Sequence, residues 1–352
     1  MMKGPKAAYG TSKKEWRGGL IVGYIQHNVL FLSEEDITAT LTPEDVILVS
    51  EQVFYMAGEA RILPGDNAFL PADTSRRNKF IAMPVTLPDL GVSGMKWIST
   101  FRAPQPGFPF SHGNLILLNK SDTAAPLLIA AATGITTMRT AGGHAVVAAK
   151  YLSVPRPEVM TVVGCGAQGR SGVRGFLSQF PSLKEIRLCS RSNSSCRSIQ
   201  EEFKERCTFR ICTNPREAVR GSQIVLMASS SHEVLVKADW LEPGTTVLAL
   251  AAFNDMDPEA TEAADRWILG YEQADKKTIF ADPAAKSHGR VLNPEKVDCD
   301  MTRIITGKAM GRQNEKEVIL YSHLGMGAFD IACAHMAYLR AVEKGIGQWL
   351  VL

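Results

Sequence analysis

The chain has 352 residues, 45% hydrophobic and 21% charged, with a formal net charge of +3. That length passes the roughly 250–300 residues at which a single hydrophobic core stops growing, so two domains are expected. The small, scattered positive charge argues against a nucleic-acid partner, seven cysteines without paired or C-x-x-C spacing argue against a disulfide framework or a metal site, and no apolar stretch is long enough to span a bilayer.

The first residues, MMKGPKAAYGTSKKEWRGG, lack the apolar run of roughly 7–15 residues that marks a secretory signal, and with reduced thiols this gives a cytoplasmic expectation. Next come apparent strands broken by Pro and Gly turns, MPVTLPDLGVSGMKWISTFR (83–102) and HGNLILLN (112–119). Lys96 falls inside the first, among apolar neighbours. Taken alone, such a lysine either snorkels to solvent or serves a site. The segment Thr136–Leu152, TTMRTAGGHAVVAAKYL, has the small apolar periodicity of a buried helix. Arg139 near its start is a fork suited to a substrate carboxylate, or else half of a structural ion pair. His112, His144 and His323 are isolated in sequence and read as packed or surface histidines.

Pro155 and Pro157 end that helix, and EVMTVVG then reads as a buried strand running into GCGAQG. Gly164, Gly166 and Gly169 occupy the three glycine positions of a dinucleotide-binding turn, with Ala167 and Gln168 between them. A helix follows, whose N-terminus suits a pyrophosphate. Strand patterns recur at EIRLCS, TFRIC, SQIVLMA, TTVLALA and RWILG, with helical patterns between several of them. That alternation predicts an α/β fold with a Rossmann-type doubly wound parallel sheet.

At the end of the second of these strands stands Cys189-Ser190-Arg191-Ser192, where NAD-binding turns carry a carboxylate. Ser190 and Arg191 suit a 2′-phosphate, which favours NADP(H) and leaves NAD(H) possible. A surface arginine is the plainer alternative. Ser229 and Ser230, after SQIVLMA, are candidates for a cofactor ribose or for local backbone bonds. Asp255 follows a strand that should end at the sheet's carboxyl edge, where a carboxylate is placed to act as a general base. Asp257 before Pro258 reads as a helix cap. The last segment, LGMGAFDIACAHMAYLRAVEKGIG, is an amphipathic helix that needs an apolar surface to cover and is expected to return to the first domain.

From about residue 28 onward the chain resembles the ornithine cyclodeaminase/μ-crystallin family. The resemblance rests on AMP followed by GMKWIS, then GNLILLN, MRTAGGHAVVAAKYL, VVGCGAQG, ADWLEPGTTVLALAA and LGMGAFDIACAHMAYLRAVEKGIG, in that order. It implies a homodimer with a discontinuous α+β substrate-binding and dimerisation domain (1–138 and 317–352) and a Rossmann domain (139–316). It also implies a small amino- or imino-acid substrate, with an NAD(P)-dependent oxidation or reduction at its Cα–N bond. The family's catalytic lysine falls on Lys96, its carboxylate-binding arginine on Arg139 and its catalytic aspartate on Asp255. A second basic residue upstream of AMP is displaced here: Ile81 adjoins the motif, and Arg76, Arg77 or Lys79 are the nearby cations, with Arg77 taken as the candidate. KWIS and GMG look nearer to the amino-acid and imino-acid dehydrogenase members than to the cyclodeaminases. The alternative is a cyclodeaminase acting on ornithine or lysine, which recycles NAD internally and releases ammonia. A third is a non-catalytic, NADP-dependent binding protein of the μ-crystallin kind.

Overall fold

The computed structural model describes residues 27–75, 78–101, 105–108, 111–231, 233–250, 255–280 and 292–352. The chain opens with β1 (Asn28–Leu32), then α1 (Glu34–Thr40) and α2 (Pro43–Gly58). Both helices start on capping boxes, Ser33 with Asp36 and Thr42 with Asp45, so their first turns satisfy their own backbone donors. Six strands follow: β2 (Leu63–Pro64), β3 (Ala68–Pro71), β4 (Lys79–Leu87), β5 (Val92–Thr100), β6 (Ser111–Lys120) and β7 (Pro126–Ala131). Then come α3 (Thr133–Arg139), a π-helical turn over Thr140–His144, and α4 (Ala145–Leu152).

The second half alternates as its pattern predicted. It comprises β8 (Val159–Val163), α5 (Ala167–Gln179), β9 (Glu185–Cys189), α6 (Asn193–Phe203), β10 (Thr208–Cys212), α7 (Pro215–Val219), β11 (Ile224–Met227) and β12 (Thr246–Ala249). After these come α8 (Glu259–Ala263), β13 (Arg266–Leu269), α9 (Glu272–Ile279), β14 (Val297–Asp300), α10 (Met301–Ile305) and β15 (Ile319–Ser322). The chain closes with α11 (Gly327–Lys344), stopped by Gly345 at a left-handed φ of 67°, and β16 (Gln348–Val351).

Two eight-stranded sheets result. The first runs β16-β1-β7-β6-β5-β4-β2 with β3 also on β4, and the second runs β10-β9-β8-β11-β12-β15-β13-β14. Every pairing in the second sheet is parallel. Its central strands are buried on both faces, which is why β8, β11, β12 and β13 are mostly apolar. The chain goes from β8 to one side through β9 and β10, then returns to the other at β11. The β8/β11 boundary is therefore a topological switch point, where such sheets bind ligands.

The structure moves two boundaries. β15 pairs with β12 and β13 inside the parallel sheet, so the chain leaves that sheet after Ser322, not at 316. A four-residue strand carries too little pattern of its own to be assigned to a sheet. The expected break at 138/139 falls at the end of α3, within an almost continuous helical rod that touches α2 on one side and α5 on the other. The longest apolar stretch of the sequence, residues 125–138, is divided between two elements, β7 and most of α3. α11 does return to the first sheet, packing on β4, β5, β6 and α2. No helix among the described residues is long and apolar enough to cross a membrane.

Candidate active site

Lys96 and Gly94 lie two residues apart on β5 and so point to one face of the sheet. That face is covered by α11. A Cβ on Gly94 would stand 2.7 Å from Ile331 Cδ1, so the glycine leaves the notch that Ile331 fills. Seating Ile331 there brings the preceding residue, Asp330, over Lys96, and the two make an ion pair of 2.8 Å with essentially no solvent exposure. In register, Lys96 lies between Met83 on β4 and Ile116 on β6. Burial in this apolar setting, reinforced by the charge of Arg139, lowers the Lys96 pKa to about 8 against the opposing pull of Asp330.

Arg139 joins the same carboxylate. Its Nε donates to Asp330 Oδ1 at 3.1 Å, and Thr136 Oγ1, one helical turn earlier, donates to that oxygen at 3.2 Å. Burial works to raise the Asp330 pKa, but Arg139 and Lys96 outweigh it and hold the carboxyl below its ordinary value. The position of Arg139 has a local cause. Glu34 caps the start of α3 by accepting from the Thr133 and Gly134 amides at 2.9 and 2.7 Å. At the other end the helix widens into the π turn, and the Ala141 amide donates to Gln168 Oε1 at 3.2 Å. Arg139 Nη1 is buried and has no hydrogen-bond partner.

Gln168 belongs to the glycine turn, and this bond ties that turn to the helix carrying Arg139. Gly164 has φ of 99°, open to glycine, and a Cβ there would stand 2.6 Å from Ala228 O. A Cβ on Gly169 would overlap Gly164 O, so the third glycine lets α5 close on the strand. A Cβ on Gly166 would meet nothing within 4 Å. Gly166 and Ala167 are exposed, and α5 starts there with no side chain capping its amides. The turn thus combines a free approach to backbone with an open helix N-terminus, which is what a pyrophosphate needs. The residues present fit a dinucleotide.

Asp255 lies beyond the carboxyl end of β12, the second strand from β8 in the sheet. Its carboxylate accepts from Ser229 Oγ at 2.7 Å, and Ser229 follows β11. Ser229 also accepts from the Ser231 amide, so its hydroxyl is already committed. Burial raises the Asp255 pKa, partly offset by the Ser229 bond. No hydrogen bond or ion pair links Asp255 to Lys96 or Arg139: the structure brings those two together and sets Asp255 in a second cluster beside the glycine turn. Ser230 is exposed. Ser190 is half-buried and Arg191 exposed at the end of β9, just before α6, and among the described residues Arg191 makes no ion pair. Asp257 accepts from the Glu259 amide at 3.1 Å, but α8 begins at Glu259 with Pro258, not Asp257, at its cap position. Arg77, like Arg76, lies outside the described residues. Lys79 helps line a cavity of about 730 Å³ together with Met83, Tyr271, Gly325 and Met326.

Among the described residues, no group of three or more His, Cys, Asp or Glu side chains is arranged to hold a metal ion. The residue that sequence reasoning missed is Asp330. Its one signal was an acid within the apolar run GAFDIACA, on a helix otherwise expected to bury that face.

A dinucleotide turn at a switch point and a buried Lys–Asp–Arg cluster across from it define the chain's architecture, and comparison places it. The model of the "Ornithine cyclodeaminase/mu-crystallin family" matches residues 66–345. The chain belongs to the ornithine cyclodeaminase/mu-crystallin family. Within it, alanine dehydrogenase of Archaeoglobus fulgidus is 26% identical over 328 residues, covering 91% of this chain and 97% of that one. N-((2S)-2-amino-2-carboxyethyl)-L-glutamate dehydrogenase of Staphylococcus aureus is 26% identical over 283 residues, 78% and 82% of the two chains. Among solved structures, the Thermococcus litoralis Delta(1)-pyrroline-2-carboxylate reductase in complex with NADH and L-proline aligns with a TM-score of 0.82 at 23% identity, covering 91% of this chain and 99% of that one. Family relatives are thus dehydrogenases and reductases acting at C–N bonds of amino and imino acids, and a lysine cyclodeaminase shares the fold.

Proposed function

We propose that this chain is an NAD(P)-dependent oxidoreductase acting on the Cα–N bond of a small amino or imino acid. The observation that carries the reading is Arg139: buried, held at Nε by Asp330, with Nη1 unspent. With Lys96 protonated, the Lys96–Asp330–Arg139 cluster bears one net positive charge, which one substrate carboxylate would neutralise. Arg139 is the clamp for that carboxylate, fixing the reacting carbon, and Lys96 adds the second positive charge. Asp255 is the group that gives a proton to the nitrogen on reduction and takes it on oxidation. Its raised pKa suits a carboxyl that must carry a proton part of the time. The bound nicotinamide supplies or accepts the hydride.

The turn Gly164-Cys165-Gly166-Ala167-Gln168-Gly169 is assigned to the pyrophosphate. NADP(H) is preferred over NAD(H), because no carboxylate ends β9 and Ser190 and Arg191 stand there before α6. The second sheet is accordingly taken as the cofactor part, and the first sheet with α11 as the substrate and dimerisation part. The homodimer is supported by exposed apolar side chains on that sheet, Leu63, Phe69, Trp349 and Val351. The test is an imino-acid panel supplied with NADPH or NADH. Reduction of a cyclic or linear imino acid, with Arg191→Ala lowering the preference for NADPH, is the expected outcome. Ammonia released from ornithine or lysine without net change in reduced cofactor would establish the cyclodeaminase instead. Binding of cofactor with no turnover of any kind would establish the binding protein.

A further inference from the structure

Behind Arg139 lies a buried polar network that the reaction does not use. Asp275, on α9, accepts from the Gly270 and Tyr271 amides at 3.0 and 2.9 Å, and from the Leu324 amide at 3.2 Å. His323 Nδ1 lies 2.8 Å from the same carboxylate. An acceptor already engaged by three amides takes a further donor, so the His323 hydrogen sits on Nδ1. The Nε2 atom of His323 is buried without a partner, and so is Nε2 of His144. Their rings stand edge to face with centroids 4.7 Å apart, and His144 Nδ1 pairs with Tyr321 OH at 3.1 Å. Burial, His323 and Arg139 together keep His144 neutral, its pKa far below that of a free imidazole. Leaving two ring nitrogens unpaired in a core costs stability.

The network ends on a tight place. Leu324, held by Asp275, precedes Gly325, whose φ is 82°. A Cβ on Gly325 would overlap Arg139 Nη1, so the turn's backbone lies directly against the guanidinium. His144 sits in the π turn that begins right after Arg139. The two histidines therefore brace both backbones that define where Nη1 can go. We infer that His323 is a positioning residue for substrate binding, fixing through Asp275 the Leu324–Met326 turn that closes on Arg139. This rests on the reading of Arg139 as the carboxylate clamp.

The test compares His323→Asn, whose amide can still donate to Asp275, with His323→Leu, which cannot. Asp275→Asn serves as a second variant should the leucine chain fail to fold. The readouts are KM for the imino acid, KM for the cofactor, kcat, and the Kd of pyrrole-2-carboxylate, a planar carboxylate probe that needs no turnover. Since displacing a positioning group by about an ångström costs on the order of 100-fold, His323→Leu should raise imino-acid KM and probe Kd about 10- to 100-fold. Cofactor KM should stay unchanged, kcat should move less than KM, and His323→Asn should stay close to the parent. Equal losses for cofactor and probe, or a leucine variant with the parent's probe Kd, would overturn the inference while leaving Arg139 its role. A parent protein that binds neither probe nor imino acid would instead overturn the reading of Arg139, and this inference with it.

Discussion

Lys96 Nζ and Asp330 Oδ2 stand 2.8 Å apart in the fully buried space between the first sheet and α11, 234 positions apart in the chain. Neither charge would be tolerated there alone. Removing one partner of a buried pair leaves an uncompensated charge and costs about 3–5 kcal/mol. Asp330→Asn should lower stability by that order, because it strands both Lys96 and Arg139. Adding Lys96→Met to that variant should recover part of the loss. Chemical denaturation of the two variants beside the parent decides it, and an additive double variant would show the pair to be uncoupled.

The glycine turn offers a pair of substitutions with opposite expectations. At Gly166, with φ of −79°, an alanine meets no atom within 4 Å, so Gly166→Ala should leave stability within about 0.5 kcal/mol while weakening dinucleotide binding. At Gly169 the added carbon overlaps Gly164 O, and Gly169→Ala should cost about 1–3 kcal/mol as α5 is pushed off the strand. Thermal melts with and without cofactor separate the two. Loss of cofactor binding in neither variant would remove the turn from the site.

Lys96 titrates near 8 because it is buried beside Arg139. Below that pH the amine is charged and the cluster holds its net positive charge; above it the charge is lost. Affinity for a substrate carboxylate should therefore fall as pH rises from about 7 to about 9.5, by about tenfold if about 1.4 kcal/mol of attraction is lost. Lys96→Arg, which stays protonated throughout, should flatten that limb. Carboxylate affinity measured across this range is the check, and an identical profile in the arginine variant would assign the limb to another group.

Burial raises the Asp255 pKa, and the hydrogen bond from Ser229 partly offsets it by favouring the ionised form. Ser229→Ala removes the larger of the two opposing influences, so the Asp255 pKa should rise further. On reduction, where the protonated carboxyl donates, the pH at which activity falls away should move upward. On oxidation, where the carboxylate accepts, the pH below which activity is lost should move upward too. Asp255→Asn should abolish both limbs and cost about 10²–10⁴ in kcat. An unshifted profile in Ser229→Ala would separate Asp255 from proton transfer.

Much of this was legible in sequence because its causes are local. The glycine turn, the apolar strands of the parallel sheet and the Gly345 stop of α11 each follow from neighbours within a few residues. Lys96, Arg139 and Asp255 stood out from their own surroundings as ionisable groups in apolar contexts, and family resemblance sharpened them. Three features had no such local cause. β15 enters the parallel sheet between β12 and β13, a choice made by strand pairing across the fold. Asp330 reads as an ordinary helix residue until Gly94 admits Ile331 and turns it onto Lys96. His144 and His323, isolated in sequence, meet only because the π turn after Arg139 packs against the end of β15. Backbone periodicity and turn chemistry are short-ranged, so sequence alone determined the elements and the nucleotide turn. Which buried charges face one another depends on contacts closed over hundreds of residues, and only the tertiary structure decided that.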